Sequence, residues 1–281
     1  MNGHWEGFID VPGGRLYSEA DGDGPPVVLI HAGVAHLRMW DAQVAAWRDR
    51  YRVIRYDTRG FGRSVVEDVP YSNRADVGTV MDHHGVASAH VLGLSRGALI
   101  ALDFTVENPE RVRSLTWVAG GVRGYEFPDD PRDVAVMEAI EPLEAARDWA
   151  AVVELETRLW TDGPDQPSNR VDPEIRRKMI QWNLESYRAE QQANQPIPPE
   201  VNAAHVLERL TMPLLVTWGT LDVTSVAQCG EKLVQDVAGA SKHVFDGVAH
   251  MVNLERPGEF NKLVGEFLDS AESRLVSGGE R

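Results

Sequence analysis

A chain of 281 residues with 43% hydrophobic and 25% charged side chains is long enough for one large core or two modest ones and has the composition of a soluble globular protein. Its formal net charge of −15 argues against nucleic acid or an anionic membrane as the main partner, since both need a basic footprint. A single cysteine, Cys229, excludes an intrachain disulfide; with no signal-peptide pattern and no membrane-length apolar run, the expectation is a soluble cytoplasmic protein.

GFIDV (7–11) and RLYSEA (15–20), joined by PGG, predict an antiparallel pair at one sheet edge. Core strands are then expected at PVVLIH (26–31), RVIRYD (52–57), AHVLGL (89–94), SLTWVAG (114–120), PLLVTWG (213–219) and KHVFDG (242–247). Several are apolar at consecutive positions, which suits parallel strands covered on both faces. Helical spacing marks residues 39–50, 73–85 and 96–112 between them. Strand and helix in alternation predict a doubly wound, mostly parallel α/β sheet.

The alternation stops in the middle of the chain. Residues 123–210 are nearly strandless and helical in pattern, punctuated by FPDDP, DGPDQP and QPIPPE. This predicts a helical lid inserted between two core strands, dividing the core into 1–122 and 211–281. The tail SGGER is expected to fray.

Ligand sites in an open parallel sheet form beyond the carboxyl ends of the strands. His31-Ala32-Gly33-Val34 follows the strand at 26, and Asp57 to Ser64 follows the strand at 52. Ser95 follows the strand at 89 within GLSRG, Asp222 follows the strand at 213, and His250 follows the strand at 242. Serine, aspartate and histidine thus converge on one sheet edge. Ser95 needs a base to take its proton; His250 can serve, with Asp222 fixing its tautomer. Gly93 and Gly97 leave room for the sharp turn a serine between strand and helix requires.

Other polar residues have plainer readings. His83 and His84 are expected on a solvated helix face, His243 packed or at the edge, and His31 and His36 near the pocket without a proton-transfer role. Asp236 and Asp246 are alternative acids, less well placed than Asp222. Asp57 and Arg59 read as braces of their loop, and Cys229 as a small buried hydrophobe. Gly120 and Gly121, after the strand at 114, supply no acid.

GLSRG, the order Ser95…Asp222…His250, YDTRGFGRS and HMVNLERP together resemble the α/β-hydrolase superfamily, in its small lid-bearing branch of esterases, enol-lactonases and carbon–carbon hydrolases. The resemblance implies an oxyanion hole built from the backbone N–H of Arg96 and a second donor at Gly33, with neighbouring Val34 as the alternative donor and a pocket residue. Where relatives read His-Gly, this chain has His31-Ala32. Trp160 and Trp182, in the lid, are candidates for the pocket wall, which would suit an apolar acyl or ring substituent.

The expected activity is hydrolysis of small carboxylic esters or lactones through an acyl-enzyme, without a cofactor; no phosphate loop or metal-spaced His/Cys cluster is present in the sequence. Carbon–carbon hydrolysis of diketones by the same triad and a triad-bearing ligand receptor are the alternatives. The oligomeric state is not legible from the chain.

Overall fold

The computed structural model describes residues 3–128, 130–188 and 196–278. β1 (His4–Val11) and β2 (Gly14–Asp21) form the expected hairpin, paired from His4↔Asp21 to Val11↔Gly14. Pro12 presets its own φ and Gly13 takes φ 71°, the backbone a tight Pro-Gly turn requires.

β3 (Pro26–Ile30), α1 (Asp41–Trp47) and β4 (Arg52–Tyr56) come next, then a short strand the sequence pattern did not announce, β5 (Val65–Val66), which pairs with β2. α2 (Asn73–His83), β6 (Ala89–Leu94), α3 (Arg96–Glu107) and β7 (Val112–Val118) complete the first part of the core. Ser72 caps α2 by accepting from the Ala75 N–H, and α3 stops at Asn108 because Pro109 cannot continue it. The strand expected at 114–120 lies two residues earlier, since Ala119 turns to φ 49°.

Between β7 and β8 (Leu214–Gly219) lie α4 (Pro131–Ala145), α5 (Trp149–Thr157) and α6 (Pro173–Arg188). The helical pattern over 132–160 breaks into two helices at Arg147, whose φ is 53°, and Asp148 restarts it by accepting from the Ala151 N–H. α5 passes directly into a wider π-helical turn, Arg158–Asp162. The final elements are α7 (Thr224–Asp236), β9 (Ser241–Phe245), α8 (Val252–Glu255) and α9 (Pro257–Gly278). Ser277 and Gly278, expected to fray, belong to α9, and 279–281 lie outside the described residues.

The sheet order is β1-β2-β4-β3-β6-β7-β8-β9, with β1, β2 and β5 antiparallel and the rest parallel. β6 is buried at every position, as befits a strand covered on both faces. From β3 the chain steps outward to β4 and then returns to β6 on the other side of β3. That reversal opens a crevice beyond the carboxyl ends of β3 and β6, where doubly wound folds bind their ligands. Gly33 and Ser95 follow those two strands.

No described helix is long and apolar enough to cross a membrane.

Candidate active site

Ser95 stands between the end of β6 and the first residue of α3, at φ 57°, ψ −118°. A side chain in this region costs on the order of 1–3 kcal/mol and persists only where the surroundings enforce it. They do so here. The Ser95 N–H donates to the Val118 carbonyl at 2.8 Å, and its own carbonyl accepts from the Ala98 and Leu99 N–H groups. A Cβ on Gly93 would overlap the Gly97 carbonyl, and one on Gly97 would overlap the Ile30 carbonyl. Both glycines are therefore required by backbone contact. Ser95 occupies the N-cap of α3 yet makes no side-chain capping bond, so Oγ is left to other partners.

His250 lies in the loop between β9 and α8, and Asp222 three residues beyond β8. The His250 Nδ1 is 2.8 and 2.9 Å from the two Asp222 carboxylate oxygens, and both side chains are buried. Because Nδ1 faces a carboxylate, it carries the ring proton and Nε2 presents a lone pair. Nε2 is buried with no hydrogen-bond partner among the described residues. The Trp160 ring, in the π-helical turn, packs at 4.7 Å against the His250 ring. Neither alternative acid reaches this histidine: Asp246 is exposed and accepts from Thr220 Oγ1, while Asp236 pairs with Lys232 on its own helix.

Ser95, Arg96, Trp160 and His250 share one cavity of about 380 Å³. Leu99, Val122, Tyr125, Phe127, Val226 and Cys229 make much of its wall apolar. Among its lining residues there is no acid, whereas two, Arg96 and Arg123, are cations. Arg123 Nε donates to the buried Asp103 at 3.0 Å, which holds the guanidinium at the wall. The sequence reading passed over Arg123, Tyr125 and Phe127. Their signal was position, since GGVRGYEF follows β7 at the same sheet edge.

The pocket expectations separate. Trp160 lines the Ser95 cavity, but Trp182 does not. It packs 5.0 Å from His36, and with Asp57 and Arg63 it lines a different, smaller cavity of about 190 Å³. Gly33 and Val34 are not lining residues of the Ser95 cavity either; Val34 is half-buried against the core. A Cβ added to Gly33 would come into ordinary contact with Cδ and Cβ of Arg96. Arg96 is the first residue of α3, where N–H groups have no intrahelical acceptor.

The loop carrying Gly33 is anchored from behind by His31. The Thr58 N–H donates to His31 Nε2 at 2.9 Å, so the ring proton is on Nδ1, which donates to the Ala32 carbonyl at 2.7 Å. Burial pushes the His31 pKa down to about 3, leaving the ring neutral. Ala32, where relatives of this pattern carry glycine, is itself fully buried, and its N–H points at the Met39 sulfur.

Asp57 accepts the N–H groups of Leu37 and Arg63, each at 2.8 Å, and burial raises its pKa to about 6 against those two bonds. Arg59 grips Asp76 through both carboxylate oxygens and also donates to the Pro12 carbonyl. Both residues are buried braces of the loops beside the elbow. His84 departs from expectation. His83 is exposed, but His84 is buried against Trp5 and 3.2 Å from Ser18 Oγ, because β1 folds over the end of α2. Among the described residues no group of three or more His, Cys, Asp or Glu is arranged to hold a metal ion.

Comparison with known proteins agrees with this architecture. The chain is 26% identical over 260 residues to 3-oxoadipate enol-lactonase 2 of Acinetobacter baylyi, covering 86% of this chain and 88% of that one. It is 30% identical to the 2-hydroxy-6-oxo-6-phenylhexa-2,4-dienoate hydrolase of Comamonas testosteroni, covering 90% of each. The crystal structure of the enol-lactonase from Burkholderia xenovorans LB400 superposes with a TM-score of 0.71 at 27% identity, over 94% of this chain and all of that one. With residues 25–257 matched by the model of the alpha/beta hydrolase fold, the chain belongs to the α/β-hydrolase family, and its activity is that of a hydrolase.

Proposed function

We propose that the protein is a cofactor-independent serine hydrolase of small carboxylic esters or lactones. The observation that carries this reading is His250: Nδ1 is held by Asp222, and Nε2 is left unpartnered in the cavity that Ser95 lines. In this reading Ser95 Oγ attacks the substrate carbonyl while His250 Nε2 takes its proton. Asp222 stabilises the imidazolium that results. The negative oxygen of the tetrahedral intermediate is met by the backbone N–H groups of Arg96 and Gly33. His250 then protonates the leaving alcohol and activates a water, which releases the acyl group from Ser95. Residues 123–210 act as the lid over this cavity, through Trp160.

Arg123, held at the wall by Asp103, and the absence of a lining acid favour a substrate that carries a carboxylate. Two relatives are named for substrates that end in one, 3-oxoadipate enol-lactone and a phenylhexadienoate, which supports the same choice.

An activity screen across acyl esters, lactones and vinylogous diketones tests the reading, with Ser95→Ala as the blank. Chromogenic short-chain esters should show a burst followed by steady turnover, and carboxylate-ended esters should outrank their neutral counterparts. Ser95→Ala should remove the activity and leave the circular dichroism unchanged. Retained turnover in Ser95→Ala refutes the mechanism. A single slow turnover without a steady state identifies a ligand receptor, and cleavage confined to diketones identifies a carbon–carbon hydrolase.

A further inference from the structure

Arg96 holds a charge that no described carboxylate neutralises through an ion pair. Among the described residues the two buried arginines each meet one, Arg55 on Glu19 and Arg59 on Asp76, both at 2.7 Å. The Arg96 guanidinium instead donates to neutral acceptors, Thr58 Oγ1 at 2.6 Å and Asn73 Oδ1 at 3.4 Å, and lies 4.9 Å from the centre of the Phe61 ring. Asp76 exerts a pull on it, but both oxygens of that carboxylate are already taken by Arg59. An arginine without a carboxylate is expensive to desolvate, and burial accordingly lowers its pKa.

The placement links this charge to the loop of Gly33. Arg96 donates to the Thr58 hydroxyl, and the N–H of that same residue donates to His31 Nε2 at 2.9 Å, so the guanidinium holds the residue that holds the ring. His31 Nδ1–H in turn holds the Ala32 carbonyl. That carbonyl belongs to the same planar peptide unit as the Gly33 N–H, and the two point in opposite directions. Fixing one fixes the other. The chain Arg96–Thr58–His31–Ala32 therefore sets the aim of the Gly33 donor.

We infer that the Arg96 side chain is a positioning residue for the oxyanion hole, one that orients the Gly33 N–H through Thr58 and His31 while carrying a charge that meets no described carboxylate. The inference rests on the serine-hydrolase reading above. It gives the side chain after the nucleophile a part in turnover distinct from that of its backbone N–H.

Three variants separate charge from hydrogen bonding: Arg96→Gln removes the charge and keeps a donor, Arg96→Lys keeps the charge without the planar fork, and Thr58→Val keeps the charge and removes the hydroxyl through which Arg96 holds residue 58. Turnover of a short-chain p-nitrophenyl ester and inhibition by phenylboronic acid, which forms an anionic tetrahedral adduct on a serine, are the readouts. Arg96→Gln is expected to lower kcat about 10- to 100-fold, with KM changed less than about threefold and boronate affinity weakened in parallel. Arg96→Lys should recover a substantial part of that loss, and Thr58→Val should lower kcat about tenfold. Wild-type kcat in Arg96→Gln, a rise in KM alone, or unchanged boronate affinity overturns the inference. If Arg96→Gln does not fold, Thr58→Val decides it, with wild-type kcat and boronate affinity as the refuting result. A wild-type enzyme lacking Ser95-dependent turnover would instead refute the underlying reading.

Discussion

Asp222 and His250 illustrate how single residues divide the work of this site. The aspartate is buried, accepts the Val223 N–H at 2.8 Å with one oxygen, and faces the histidine with both. Replacing it with asparagine keeps the shape but puts a donor amide against Nδ1, which favours the wrong tautomer. Asp222→Asn is therefore expected to lower kcat by about 10³- to 10⁴-fold, while Asp246→Asn, on an exposed side chain, changes it less than about twofold. Steady-state kinetics of the two variants decide between the acids. Ser95 was legible because a serine between two glycines, after an apolar run and before a helix, has a mechanical reason to be there. Arg123 was not legible, because an arginine beyond a strand signals a site only once the neighbouring strands are placed around it.

At the scale of elements, Arg170 ties the insertion to the loop of His250. Arg170 donates to the carbonyls of Thr161 and Asp162 in the π-helical turn, to the Gly247 carbonyl before His250, and to both oxygens of Glu255 in α8. Glu255 also accepts the Ala249 N–H, directly next to His250. Breaking a largely buried ion pair by removing one partner typically costs about 3–5 kcal/mol, since the remaining charge is stranded. Arg170→Met should therefore lower stability by about 3 kcal/mol in urea titration. It should also reduce turnover, because both the Trp160 turn and the His250 loop lose their tie. An unchanged unfolding midpoint would show that the tie is not a structural one. The helical pattern of 132–160 announced helix but not the break at Arg147 or the π-helical turn. Both depend on what the helix packs against, and periodicity is insensitive to that.

Across the whole molecule, buried titratable groups make stability depend on pH. His31 is held near pKa 3, and His84 and His90 near 4, in each case chiefly by burial, against an ordinary value of 6.5. Below pH 6.5 the unfolded chain binds protons at these three positions while the folded chain does not. Their contribution to stability is therefore full above 6.5 and is lost progressively as pH falls toward 4. Asp57 works in the opposite sense. Its folded pKa of about 6 lies above the ordinary 3.8, so the folded state takes up a proton first and gains stability as pH falls from 6 to 4. His36 is lowered by burial in the sense of these histidines, and Asp103, Asp133 and Glu156 are raised by burial in the sense of Asp57. The histidine share is isolated by His84→Gln: as pH falls from 6.5 to 4, the urea midpoint of the wild type should lose ground relative to that of the variant. Parallel pH profiles of the two midpoints would contradict the burial of His84.

The amino-acid sequence by itself determined the order of the core strands, the carboxyl-edge positions of Ser95, Asp222 and His250, and the glycines around the elbow. These follow from local rules of apolar period, turn chemistry and steric room. Only the tertiary structure decided which of the tryptophans at 160 and 182 lies against His250, that His84 is buried, and that Arg96 reaches Thr58 without meeting a described carboxylate. Each of these depends on segments far apart in the chain, such as β1 over α2 or Thr58 against α3, and a side chain's neighbours across such distances are set by packing rather than by its own sequence context.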